Sequence, residues 1–96
     1  MVEIFTEMPD MVAVSQVYPN PVNGRRARVD VNLAESEEAM VEVYDIRGAL
    51  VNSTVRVLSR GQNLLRLETE GLTRGSHFAK IQVGDRVEYR SFVVAD

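Results

Sequence analysis

Apolar and polar residues alternate with period two along most of this chain. In Arg28-Val29-Asp30-Val31-Asn32-Leu33 every second residue is apolar, and Met40-Val41-Glu42-Val43-Tyr44 repeats the pattern. Leu50-Val51 leads into Thr54-Val55-Arg56-Val57-Leu58. From Gln62 to Glu68, Leu65 and Leu67 share one face and Leu64 opposes them. Ala79, Ile81 and Val83 face together, and Val87, Tyr89 and Val93 lie in the last run. Successive side chains of a strand point to opposite faces, so this alternation predicts half-buried strands. Only Ala34 to Met40 reads as helical, and that stretch is too short to be stable alone.

Turn residues punctuate the runs: Pro19-Asn20-Pro21, Asn23-Gly24, Arg47-Gly48, Arg60-Gly61, Glu70-Gly71, Arg74-Gly75 and Gly84-Asp85. Glycine supplies positive φ, and Asn and Asp tolerate it. Gly84-Asp85 between two alternating runs is a two-residue hairpin signal. Short strands at this spacing predict an all-β fold, an antiparallel immunoglobulin-like β-sandwich of about seven strands. Residues 1–13 do not alternate cleanly and are expected to be a linker or an added edge strand. The sandwich is expected to occupy residues 14–96.

Composition narrows the function classes. A chain of 96 residues fits one domain with a small core. Its net charge of -3 argues against a general nucleic-acid binder, which needs a basic face to release counterions from phosphates. A local basic patch stays open, and Arg25, Arg26 and Arg28 are one candidate. There is no cysteine, so disulfides, thiolate nucleophiles and zinc–thiolate sites are excluded. No apolar run approaches the ~18 residues of a membrane helix. The opening Met1 to Glu7 carries early acids and no basic region, unlike a secretory signal. An exported version of this domain is therefore expected to have its signal upstream, in a longer protein.

Four motifs occur in order. They are Tyr18-Pro19-Asn20-Pro21, Tyr44-Asp45-Ile46-Arg47-Gly48-Ala49-Leu50-Val51, Gly71-Leu72-Thr73-Arg74-Gly75, and the ending Phe92-Val93-Val94. Each alone is weak. Together, over about Val14 to Val94, the chain resembles the type A C-terminal sorting domain of type IX secretion cargo in Bacteroidota. The resemblance implies a domain at the end of a larger cargo protein. Such cargo is exported through the periplasm, recognised by the outer-membrane translocon and its shuttle protein, and delivered to the surface or secreted. There a sortase usually removes the domain and joins the cargo to anionic lipopolysaccharide. Two positions depart from the family pattern: His77 stands where the family usually has Tyr, and the chain ends Ala95-Asp96 where the family often has Lys or Arg.

The residues themselves give no sign of an enzyme. Asp45 is expected to cap a turn through its side chain and Gly48 to supply positive φ; no further ligand is spaced to make Asp45 a metal or catalytic group. Gly71 to Gly75 lacks the Gly-Lys-Ser/Thr ending of a phosphate loop, and Leu72 is expected to tuck into the sandwich. His77, the only histidine, is expected on an apolar face as a buried or rim residue, without the partners catalysis or a metal requires. Glu35, Glu37 and Glu38 are expected in a solvated loop. Pro19-Asn20-Pro21 is expected to act as a rigid turn that stops the first strand from pairing onward.

The chemistry is expected instead in the last strand, where Tyr89, Phe92, Val93 and Val94 are the candidate translocon contacts, helped by any free edge. No cofactor is expected. Two other readings stay open: a sandwich module retained in a surface complex, and a carbohydrate-binding module, which would display aromatic rings. Exposed sheet edges could also pair into a weak homodimer.

Overall fold

The structure, a computed structural model, describes residues 12–23 and 27–95. Seven strands follow in order: β1 (Val12–Val14), β2 (Arg28–Leu33), β3 (Glu37–Asp45), β4 (Leu50–Leu58), β5 (Gly61–Arg66), β6 (Gly75–Val83) and β7 (Arg86–Val94). They form a three-stranded sheet ordered β1-β2-β5 and a four-stranded sheet ordered β4-β3-β6-β7, with every neighbouring pair antiparallel. This is the predicted all-β, immunoglobulin-like sandwich.

The alternation read along the chain decides which residues meet between the sheets. Val29, Val31, Leu33 and Leu65 come from one sheet, and Ala39, Val41, Val43, Ala79, Ile81, Val83, Phe92 and Val94 from the other. Val17 and Val22, on the segment after β1, join the same cluster, as do Ala27, Leu58 and Leu67. Most of these side chains are β-branched, stiff and suited to a pleated surface. Each fully buried Val, Leu or Ile side chain contributes roughly 1.5–3 kcal/mol. Among the described residues Phe92, at 1% exposure, is the one phenyl ring in this core.

Gly84-Asp85 makes the predicted two-residue hairpin, with Val83 opposite Arg86 and Gly84 at φ +58°. At the same end Asn63 holds the passage from β4 to β5: its Nδ2 donates to the carbonyls of Ser59 and Gly61, and its Oδ1 accepts from the Ser59 N–H.

Two expectations are corrected. Glu37 and Glu38 begin β3 and do not lie in a loop; the helical reading of Ala34 to Met40 gives way to the pairing of Ala39 and Met40 with both β4 and β6. In β4 the apolar phase points outward. Val55 pairs with outward-facing Met40, and Val57 is 79% exposed, while Asn52, Thr54 and Arg56 share the inward phase with Val43, Val41 and Ala39. As an outer strand of the wider sheet, β4 has its inward side only partly covered. Of the linker or edge-strand region, Val12 and Ala13 lie in β1, at the outside of the smaller sheet; residues 1–11 lie outside the described residues.

Candidate functional site

Motifs that are far apart in sequence converge at one end of the sandwich. The register sets Asp45 opposite His77 and His77 opposite Phe92; one step further, Gly75 faces Val94. Val22 forms a parallel bridge with Val94. The Pro19-Asn20-Pro21 segment, the Asp45–Gly48 turn, the Gly71–Gly75 loop and the chain ending therefore lie together. Gly84 is at the opposite end, and Tyr89 lies along β7 on the outer face.

The first motif works as a strap between the sheets. Tyr18 still pairs with Arg28 in the smaller sheet, through backbone hydrogen bonds of 2.9 and 3.0 Å. Two cis peptide bonds, Tyr18-Pro19 and Asn20-Pro21, lie in the crossing segment, where proline ends the pairing. Val22 then pairs with the other sheet: its N–H donates to the Val93 carbonyl at 2.6 Å, and its carbonyl accepts from the Ala95 N–H at 2.8 Å. Asn20 Oδ1 accepts from the Val93 N–H at 3.0 Å. The outer edge of the last strand is thus occupied at Val93–Ala95 and is not free there.

Arg90 fastens the strap higher up. Its guanidinium donates to the carbonyls of Val14 at 2.8 Å and Ser15 at 3.1 Å, and it pairs with Glu88 at 3.2 Å. The sequence reading missed this residue. Its one signal was phase, since Arg90 shares the inward side of β7 with Phe92 and Val94.

Asp45 caps its turn as expected. Its Oδ1 accepts from the N–H groups of Arg47 and Ala49, both at 2.9 Å, and its own carbonyl accepts from the Gly48 N–H, where φ is +87°. The Ala49 N–H is the main cause that holds this carboxyl below the ordinary carboxylate range, aided by the Arg47 N–H and charge against a smaller desolvation effect. Gly71 and Gly75 both have positive φ, and Leu72 packs against the core. A cleft of about 460 Å³ lies between the two turns, lined in part by Asp45, Arg47, Glu70, Leu72 and His77.

His77 is buried, at 4% exposure, with its ring stacked on Phe92 at 5.8 Å and its Nδ1 3.1 Å from the Gly75 carbonyl. It fills an internal position and is not offered to solvent. Among the described residues no group of three His, Cys, Asp or Glu side chains could hold a metal ion.

Of the last-strand candidates, Phe92 and Val94 are core, whereas Tyr89 and Val93 face outward at 58% and 43% exposure. On the outer face Tyr44 and Phe78 stack at 5.1 Å, and Tyr89 meets Phe78 at 6.4 Å. The Tyr44 hydroxyl donates to Glu42 at 2.8 Å, and this bond is the main reason its pKa is raised. Of the basic patch, Arg25 and Arg26 lie outside the described residues, and Arg28 stands over the Tyr18 ring at 5.2 Å.

The strap joins the segment after the first strand to the last strand, and the four motifs lie around that junction. The model of the secretion system C-terminal sorting domain matches residues 16–95, so the chain belongs to that family, the C-terminal sorting domains of type IX secretion. No curated protein matches the sequence. The family is not an enzymatic one. Its members work with the type IX machinery in general and belong to secreted or cell-surface cargo.

Proposed function

We propose that this domain is the export signal of a larger cargo protein, read by the type IX outer-membrane translocon and its shuttle protein. Residues from Val14 onward form the signal, Val12 and Ala13 extend its edge strand, and those before them link it to the cargo. The observation that carries this reading is the convergence of the sequence motifs at one end of the sandwich, around the strap and the last strand.

Recognition then uses surface chemistry and not a side-chain active site. Tyr89 and Val93 are its outward contacts on β7, while Phe92 and Val94 act from within by fixing the strand. Pro19, Asn20 and Pro21 hold the strap, and Asp45, Gly48, Gly71, Leu72 and Gly75 shape the neighbouring turns. A surface sortase removes the domain and joins the cargo to anionic lipopolysaccharide. A sugar-binding platform is less well supported, because Tyr44 and Phe78 each use one ring face on the other.

The test fuses residues 1 to 96 behind a periplasm-directed fluorescent reporter, in a type IX-competent Bacteroidota strain and in a translocon-deficient sibling. Surface or medium fluorescence in the competent strain alone is the expected result, with a reporter mass that lacks the domain. Reporter held in the periplasm of both strains, with the domain folded, would overturn the reading.

A further inference from the structure

The two outer faces of the sandwich differ in chemistry. The smaller sheet turns Arg28, Asp30, Asn32, Gln62 and Arg66 outward, with Leu64 and the small Ala13 as apolar exceptions. The four-stranded sheet turns out three rows set by its register. The first is Leu50, Tyr44, Phe78, Ser91, from β4 to β7. The middle row is Ser53, Glu42, Lys80, Tyr89, and the third is Val55, Met40, Gln82, Val87. Val57 and Val93 extend the face at its two ends. An outer strand whose hydrophobic phase faces away from its own core is a surface made to be covered.

We propose that this face packs on the same face of a second copy, about a two-fold axis that runs parallel to the strands between β3 and β6. The register makes the face complementary to itself under that rotation. Glu42 comes over the partner copy's lysine at position 80, and Tyr44 over its phenylalanine at position 78. Val55 on β4 comes over the valine at position 87 on the other copy's β7. Within one chain Glu42 and Lys80 already pair at 3.8 Å in the middle of the face. The centre therefore carries no net charge to attract an acidic or a basic partner, and its two charges are each met by the rotated copy. Glu38 lies at the rim.

The size is sufficient. Strands about 4.8 Å apart and nine residues long at about 3.3 Å each give a face of roughly 19 by 30 Å, and two such faces bury just over ~1,000 Å², the low end for a specific interface. Sheets packed in this aligned way sit about 10 Å apart, which leaves room for interleaved Leu, Val and Tyr side chains. The contact is isologous and closes at two copies. It does not rest on the sorting role, and because it covers Tyr89 and Val93, the recognition proposed above reads the single copy.

Sedimentation equilibrium of the 96-residue chain tests it. The native chain is expected to show a monomer–dimer equilibrium with a dissociation constant of about 100 μM or tighter. Glu42→Lys alone and Lys80→Glu alone each set like charges face to face and are expected to weaken association by ~10-fold or more. Mixing the two variants sets opposite charges face to face in the heterodimer and is expected to restore association. Val55→Lys, at a position exposed in the single chain, is expected to abolish the dimer with circular dichroism unchanged. A monomer at every concentration up to about 1 mM would overturn the proposal. So would single variants that each associate as tightly as the native chain, or a mixture of the two folded variants that fails to associate.

Discussion

The side chain of Asn20 accepts a hydrogen bond from the backbone of Val93 at 3.0 Å, which ties the beginning of the domain to its end. Val22 continues the tie with two backbone bonds and a fully buried side chain. The strap thus has a polar anchor in solvent and an apolar anchor in the core, and these should differ in strength. Asn20→Ala is expected to cost about 1 kcal/mol, the net worth of one hydrogen bond. Val22→Ala is expected to cost roughly 2 kcal/mol, because it leaves a cavity. Urea unfolding gives both values, and hydrogen exchange at the Val93 amide should quicken in the first variant.

Arg90 binds the strap at its other end through the carbonyls of Val14 and Ser15. Arg90→Met keeps most of the apolar stem and removes the donors. A loss of about 1–2 kcal/mol is expected, because charge-assisted bonds at a partly exposed site are worth less than buried ones. Faster exchange along β1, with β3 and β6 unchanged, would separate a released strap from general loosening.

The carboxyl of Asp45 is lowered chiefly by the Ala49 N–H, so the native state binds its proton less readily than the unfolded chain does. The resulting stability is fully present above the unfolded carboxylate value of about 3.9 and is lost as pH falls through the lower native value. Asp45→Asn removes this dependence. Thermal melts of the native chain and the variant should differ at neutral pH and draw together on acidification.

Gly75 and Gly84 both have positive φ, but they should not respond alike. At φ +58° Gly84 lies where Asn is tolerated, and Gly84→Asn is expected to change stability little once the Glu37 carboxylate moves, since an added Cβ would meet Glu37 Oε1 at 2.9 Å. At φ +123° Gly75 lies outside that region, and Gly75→Ala is expected to cost about 1–3 kcal/mol with no clash involved. Chemical denaturation of the two variants checks the order.

On β7, Phe92→Ala should prevent stable folding, as roughly 3–5 kcal/mol is a large share of a small domain's stability. Val93→Ser, at an outward position, should leave folding intact and reduce reporter export. Unchanged export by a folded Val93→Ser, Tyr89→Ser double variant would remove this strand's outer surface from the recognition proposal.

Strands and turns were legible in the sequence wherever one signal acted alone. Period two gave the core side of β2, β3, β5 and β6, and glycine at Gly48 and Gly84 marked turns that require positive φ. The continuous run Phe92-Val93-Val94 has no period, so only packing shows that Val93 faces out. In β4 the period was plain and its direction was not, because alternation fixes two faces of a strand without saying which one meets a core. The sequence by itself determined the β class, most strand positions and the local turns, all of which depend on residues a few places apart. Tertiary structure alone decided that Pro19-Asn20-Pro21 carries the chain across to close the edge of β7, that Arg90 holds it there, and that the motifs share one end. Those relations join residues up to 76 positions apart, and their register is fixed by which strands pair and pack, not by any local pattern.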